Sequence, residues 1–342
     1  MYKNPYEQLS GVIHSPKLKK AGFQELQFDT GEAKLNYVVG PNHGPPLVLI
    51  PAQTGMWESY QKVMIPLSRY FQVFVLDIRG HGKSSWTPGQ YSWRIIGGDM
   101  QAFLERIVKR PAMIAGNSSG GIIALWCAAN LSHLVSAVVL EDAPVFSAEM
   151  PRFKEQDRFV YNGLKKLVEN IGDPANRDLA NYFNEMKMPV SETRTKRMPP
   201  QFVRYLSKKI RKFEEAHPGK PIETGFPSPL RLLLKSLSMF DPDFARAFVD
   251  GRFYEGIDHA EALKRVHCPL LVLHADWHRY PEHGLIGAMD DRDAERIKEL
   301  APQMKYRKIH ANHVIHAFKP RLYVNAITEF AAEIKEFTGS RE

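Results

Sequence analysis

One serine stands in a setting that could make it reactive. Ser118 is the centre of Gly116-Asn117-Ser118-Ser119-Gly120, which follows the apolar run Ala112-Met113-Ile114-Ala115 and opens a segment of helical composition. A serine hydroxyl is a weak nucleophile at neutral pH and needs a base beside it. A sharp strand-to-helix turn supplies exposure: it forces its central residue into a strained backbone and projects the hydroxyl into a cleft, while flanking glycines let strand and helix approach closely. Gly121, Ala128 and Ala129 keep the following helix narrow where it would meet a sheet. As a bare pattern G-x-S-x-G is weak; between a strand and a small-residue helix it is strong. A second loop, Leu76-Asp77-Ile78-Arg79-Gly80-His81-Gly82-Lys83-Ser84, ends an apolar run on Asp77 and brackets His81 with glycines. That pattern predicts a tight structural turn in which His81 orders the loop and does not react.

Such a turn needs a sheet to carry it. Gln24–Asp29 and Lys34–Val39 alternate around Thr30-Gly31, which predicts an antiparallel pair. The apolar runs Pro46–Pro51, Val73–Asp77, Ala112–Gly116 and Val135–Leu140 read as buried strands. Helical spacing fills Trp57–Tyr70, Trp93–Val108 and Ser119–Asn130 between them. This alternation predicts a parallel sheet covered on both faces. From about Pro144 to Val266 the rhythm breaks: no convincing buried strand is present. Instead, Val160, Leu164, Leu167, Val168 and Ile171 form a helical stripe, and Asp178–Met188, Gln201–Ala216 and Leu230–Met239 are further helical stretches. Strand and helix patterns resume with Pro269–His274, Asp291–Leu300, Lys305–Ile309 and Leu322–Phe337. The expected organisation is one α/β core of residues 1–143 and 267–342, with a helical insertion at 144–266.

Composition narrows the partners. The chain has 342 residues, 44% hydrophobic and 25% charged, which suits a folded globular protein with a sizeable core. A net charge of +8 raises nucleic acid as a partner, but the basic residues do not gather into one aromatic-interleaved patch. Lys17-Leu18-Lys19-Lys20, Lys165-Lys166 and Lys208-Lys209-Ile210-Arg211-Lys212 lie far apart and read as solvated faces, so no nucleic-acid partner is expected. Cys127 falls in an apolar helix and Cys268 just ahead of a strand, so both read as small core residues and not as a disulfide. The first residues lack the apolar stretch of a signal peptide and no segment has the length of a membrane span, so the expectation is a soluble cytoplasmic protein. A homodimer is left open.

The D-x-R-G-H-G-x-S loop, the G-x-S-x-G turn at the interval that follows it, and a late histidine together resemble the α/β-hydrolase superfamily. The likeness covers the chain apart from the helical insertion, which corresponds to the family's cap. It implies a mostly parallel eight-stranded sheet with helices on both faces, an active site at the strands' carboxyl ends, and the chain order nucleophile, acid, histidine. The base then falls in the loop after the last strand, His310-Ala311-Asn312-His313-Val314-Ile315-His316, where His313 aligns best, His316 second, and His310 reads as a strand-end residue. The family's commoner acid position follows the penultimate strand, but His274-Ala275-Asp276-Trp277-His278 places His278 where the acid would stand. The superfamily's alternative position, after the strand that follows the nucleophile helix, holds Leu140-Glu141-Asp142-Ala143-Pro144. This resembles hydrolases with a Leu-Glu-Asp-Pro-Pro segment and the acid placement of zearalenone lactonases. The preference runs Asp142, then Asp276, then Asp290 or Asp291, with Glu141 expected on the opposite face from Asp142 if the strand reaches it.

An oxyanion hole would use the backbone N–H of Ser119 and a second from Pro51-Ala52-Gln53-Thr54-Gly55, either Gln53 or Thr54, with Gln53 preferred. Met56 and Trp57 follow as candidates for pocket lining or core, and Phe159, Leu234 and Phe240 are candidates to line a pocket under the cap. Neither the histidines at 310, 313 and 316 nor His274, His278 and His283 come with a completing carboxylate or cysteine motif, so no metal and no organic cofactor is expected. The resemblance implies a small-molecule ester or lactone substrate, including a hydrophobic macrolactone. Carbon–carbon or amide hydrolysis and a non-catalytic ligand receptor are the alternatives. Serine at the turn argues against dehalogenases and epoxide hydrolases of this fold, which use aspartate there.

Overall fold

The computed structural model describes residues 2–339 apart from 174–176 and 192–193. The excepted residues of the expected insertion, and 340–342 of the expected core, lie outside that description. Among the described residues twelve strands form: β1 (Gln24–Asp29), β2 (Lys34–Val39), β3 (Pro46–Ile50), β4 (Gln72–Asp77), β5 (Ala112–Asn117), β6 (Val135–Glu141), β7 (Lys187–Pro189), β8 (Thr195–Arg197), β9 (Leu270–His274), β10 (His278–Tyr280), β11 (Gly284–Ile286) and β12 (Lys305–Lys308). Eight of them make one sheet in the order β1-β2-β4-β3-β5-β6-β9-β12. β2 is antiparallel to both its neighbours, and every pair from β4 to β12 is parallel.

Strands buried on both faces read as continuous apolar runs, but their alternation still sorts side chains between two cores. Val48, Ile50, Ile114, Leu140 and Val272 join one core with the helices Trp93–Phe103 and Ser119–Asn130. Leu47, Leu49, Ala115, Val139 and Leu273 join the other with Val63, Met64 and the C-terminal helix residues Tyr323, Ile327 and Phe330. The helix expected at Trp57–Tyr70 is a 3-10 turn followed by an α-helix over Gln61–Leu67, and the one expected at Trp93–Val108 closes with a π-turn from Leu104.

Between β6 and β9 no described residue joins the sheet. That segment is built of helices, chiefly Arg158–Ile171, Leu179–Glu185, Pro200–Ala216, Leu230–Ser238 and Pro242–Asp250. The stretch expected as helix to Met188 ends at Glu185, and Met188 lies in β7, which pairs antiparallel with β8. The chain after β9 does not run straight to the next helix either. It folds into the hairpin β10–β11, whose Gly284 lies so close to Gln156 that a Cβ would meet the Gln156 carbonyl oxygen at 2.1 Å. Charges fix this contact: Arg279 donates to Asp157 at 2.6 Å and to Asp290 at 2.8 Å, and Arg152 donates to Asp157 at 2.7 Å and Asp293 at 2.5 Å. Asp290 also caps the helix Asp291–Leu300 in a capping box with Asp293.

Candidate active site

Ser118 sits between β5 and the helix Ser119–Asn130 with φ 54° and ψ −124°, a region that side chains other than glycine rarely adopt. The turn is possible because the chains beside it touch. A Cβ on Gly116 would lie 2.0 Å from the Gly120 carbonyl oxygen, and one on Gly120 would lie 2.4 Å from that of Ile50. The Ser118 N–H donates to the Glu141 carbonyl at 2.9 Å, tying the turn to the end of β6.

Asp142 follows β6 directly and also has a positive φ, 42°. This break in the strand turns its carboxylate along the sheet edge, where Oδ1 accepts from the Ala275 N–H at 3.0 Å and Oδ2 lies 2.6 Å from His313 Nδ1. The Asp142 side chain is 2% exposed and that of His313 38% exposed, so the acid is enclosed while the imidazole keeps part of its surface open. A buried carboxylate that accepts at Nδ1 requires the hydrogen there and leaves Nε2 free to act as a base. Its enclosed surroundings alone would pull His313 below the usual imidazole value. The hydrogen bond and charge of Asp142, with Glu141 behind, reverse that and raise it.

The other acid and histidine candidates fall elsewhere. Asp276 pairs with His310 at 3.0 Å on the surface. Asp291 accepts from Trp277 Nε1 at 2.9 Å, and Asp290 is the helix cap. His316 faces inward against Glu141, the last residue of β6, whose carboxylate meets His316 and not His313. His274 is held between Tyr306 Oη at 2.8 Å and the Met289 carbonyl at 3.0 Å. His278 lies exposed in β10 and His283 in the turn beyond it. Among the described residues no group of three or more histidine, cysteine, aspartate or glutamate side chains is arranged to hold a metal ion.

The Pro51–Gly55 loop is tied to the other glycine-rich loop by His81. Its Nε2 accepts from the Thr54 N–H at 3.1 Å, and its Nδ1–H donates to the Arg79 carbonyl at 3.2 Å. Burial lowers His81 to about 4, so it is neutral and able to accept. Arg79 in turn forms two 2.7 Å bonds to the buried Asp99, and Asp77 accepts from the Trp57 and Lys83 N–H groups. Thr54 N–H is therefore occupied, which removes one of the two backbone donors weighed for an oxyanion site and leaves that of Gln53.

A small cleft opens beside the serine turn, lined by Gln53, Ser119, Ile122, Trp93, Phe153, Val160, Phe248 and Leu285 among others. The Gln53 Nε2, Ser119 Oγ and Trp93 Nε1 atoms are buried without a hydrogen-bond partner. Phe159 lines a second cavity against the insertion with Val160 and His283. Leu234 and Phe240 do not line the first cleft; both pack in the core, Phe240 edge-on to His81. Met56 and Trp57 are core residues as well. Sequence reading did not assign Asn117, whose Nδ2 donates to the Glu141 and His313 carbonyls at 3.1 and 3.0 Å. It lies inside the serine pattern, but nothing local points to a partner 196 positions away.

Residues 45–220 match the family described as alpha/beta hydrolase fold. Among curated proteins, the chain is 32% identical over 103 residues to N-formylmaleamate deformylase of Pseudomonas putida, 30% of this chain and 38% of that one. It is 26% identical over 143 residues to 3-oxoadipate enol-lactonase 2 of Acinetobacter baylyi, 40% and 52% of the two chains. The chain thus spans between about a quarter and a half of the curated relatives it matches. Among solved structures, the N-formylmaleamic acid deformylase of Pseudomonas putida superposes with a TM-score of 0.60 at 19% identity, covering 89% of this chain and 99% of that one. The enol-lactonase of Burkholderia xenovorans superposes with a TM-score of 0.56 at 14% identity, covering 90% and 100%. None of these bears on the zearalenone lactonases. With eight strands in this order, the strained serine at the end of β5 and a family match over half its length, the chain belongs to the α/β-hydrolase fold family.

Proposed function

We propose that this hydrolase cleaves a carboxylic ester or lactone through an acyl-enzyme, with Ser118 as nucleophile, His313 as base and Asp142 as the acid that orients it. The observation that carries the reading is the 2.6 Å contact between Asp142 Oδ2 and His313 Nδ1 at the sheet edge that also bears the strained Ser118. In this mechanism Ser118 Oγ attacks the substrate carbonyl as His313 Nε2 takes its proton. Asp142 stabilises the imidazolium, and the Gln53 and Ser119 N–H groups hold the oxyanion. His313 next protonates the leaving alcohol and then activates water against the acyl-enzyme. No group beyond these residues and water is required by the scheme.

The cleft supports a mainly apolar substrate, because its walls are chiefly aromatic and aliphatic. The enol-lactonase likenesses favour lactone opening. The deformylase likenesses favour a second reading, cleavage of a small acyl–nitrogen bond at the same serine. The insertion at 144–266 acts as the cap in both.

Labelling with a fluorophosphonate probe tests the nucleophile. Wild type is expected to label and Ser118→Ala not, with kcat in that variant lower by roughly 10³-fold or more. Full activity in Ser118→Ala would remove the assignment. A panel of p-nitrophenyl esters, lactones, formamides and β-diketones ranks the bond types, and a preference for formamides would favour the second reading.

A further inference from the structure

A second acid–imidazole pair lies directly behind the first. Glu141 and His316 are each one residue or one helical turn from a member of the proposed triad: Glu141 precedes Asp142, and His316 follows His313 by three. Their side chains are 0% and 1% exposed. The Glu141 carboxylate accepts from the His316 backbone N–H at 2.8 Å and from His316 Nδ1 at 2.9 and 2.8 Å to its two oxygens. Above the ring, Tyr60 stacks on His316 with centroids 3.8 Å apart, and Tyr323 meets it at an angle from 5.8 Å. Burial holds both phenols neutral, raised well above their usual range, so neither brings a competing charge.

The main chain of Glu141 extends the connection. Its carbonyl accepts the Ser118 N–H at 2.9 Å and Asn117 Nδ2 at 3.1 Å, and the same Asn117 amide donates to the His313 carbonyl. The segment from Ile309 to Val314 has no regular secondary structure, and the helix that follows, Ile315–Phe318, is four residues long. A helix that short is not stable by itself. The position of the His313 ring is thus set by tethers from outside the segment, among them the fully buried contact between Glu141 and His316.

We infer that Glu141 and His316 are positioning residues, a buried clamp that fixes the register of the His313 loop against the end of β6 so that His313 stays against Asp142. This rests on the triad reading. The pair is a clamp and not a proton relay, because His316 Nε2 is buried without a partner and leads nowhere.

The test separates the ring's hydrogen-bond donor from its bulk, using the full chain and p-nitrophenyl acetate. His316→Phe keeps the stack on Tyr60 and removes the donor; His316→Asn keeps a donor at the Nδ1 position and removes the stack. His316→Phe is expected to lower kcat at least ~10-fold with KM within ~3-fold, and to slow fluorophosphonate labelling of Ser118 in the same proportion. His316→Asn is expected to stay within ~3-fold of wild type in kcat. Activity is normalised to folded protein by near-UV circular dichroism. Should His316→Phe not fold, Glu141→Gln, which keeps an acceptor for the His316 N–H and removes the charge, is expected to lower kcat with KM unchanged. Wild-type turnover in His316→Phe or in Glu141→Gln, or a loss in His316→Asn as large as in His316→Phe, would reduce the pair to packing and overturn the clamp while leaving the triad intact. Wild type that does not label would overturn both.

Discussion

β6 and β9 lie side by side in the sheet, and each hands the chain to a loop with an aspartate facing a histidine. After β6, Asp142 meets His313 at 2.6 Å with its side chain 2% exposed; after β9, Asp276 meets His310 at 3.0 Å with the pair 47% and 88% exposed. The residue types are the same and the distances differ little. What separates them is water. An exposed pair is screened and holds neither ring nor carboxylate firmly, whereas an enclosed carboxylate with a backbone N–H on its other oxygen fixes the ring it faces. The strand ends explain the difference: the positive φ of Asp142 turns it into the sheet edge, while the chain after β9 is drawn off into the β10–β11 hairpin against Gln156 and Asp157. In the proposed triad the acid is thus the aspartate whose loop stays on the edge, and proximity of an acid to a histidine is not enough.

The comparison breaks most readily at the two acids. Asp142→Asn is expected to lower kcat roughly 10³- to 10⁴-fold, because the wrong ring nitrogen is then protonated. Asp276→Asn is expected to remain within about 2-fold, since an exposed pair contributes little; steady-state kinetics of the two variants would move the acid if the order reversed. Placing the acid in the commoner family position, Asp142→Asn with His278→Asp, is expected to recover no activity, because residue 278 lies exposed in β10 and not at the edge. Recovery beyond tenfold in the same assay would contradict the role given to the hairpin. As the proposed base His313 must be neutral to act, and its pKa is raised, so the acidic limb of kcat/KM should fall above the ordinary value of 6.5. Without the Asp142 charge that limb should shift to lower pH, and Asp276→Asn should leave it in place; a pH profile checks both. The smallest effect is on stability: His310→Ala should change the unfolding free energy by no more than about 1 kcal/mol in chemical denaturation.

Legibility followed the range of the interaction. The serine turn was plain because its demands are local: Gly116 and Gly120 are required within two residues of Ser118 by contacts the pattern itself implies. The sheet strands were legible because burial on both faces leaves continuous apolar runs, and His81 was legible as a loop-ordering residue because two glycines bracket it. Its partner was not. That Thr54 N–H is taken by His81, leaving Gln53, depends on two loops meeting in space. The same holds for Asn117 reaching the His313 loop and for Glu141 facing His316. The short hairpins β7–β8 and β10–β11 have three residues per strand, too few for an alternating pattern to declare itself. Leu234 and Phe240 were candidates for pocket lining because helical spacing reports only that a face is buried, and in both cases what buries it is the core.

The strained backbone at Ser118 sets this protein against itself under selection for heat resistance. Holding a residue other than glycine in that region costs on the order of 1–3 kcal/mol, while the extra chain freedom of glycine in the unfolded state costs about 0.5–1 kcal/mol. Ser118→Gly should therefore melt at a higher temperature than wild type, by an amount worth roughly 1 kcal/mol. Any library screened for thermal survival alone should be enriched in chains that have discarded the proposed nucleophile, and a stabilised form of this hydrolase must be sought with turnover as a second criterion.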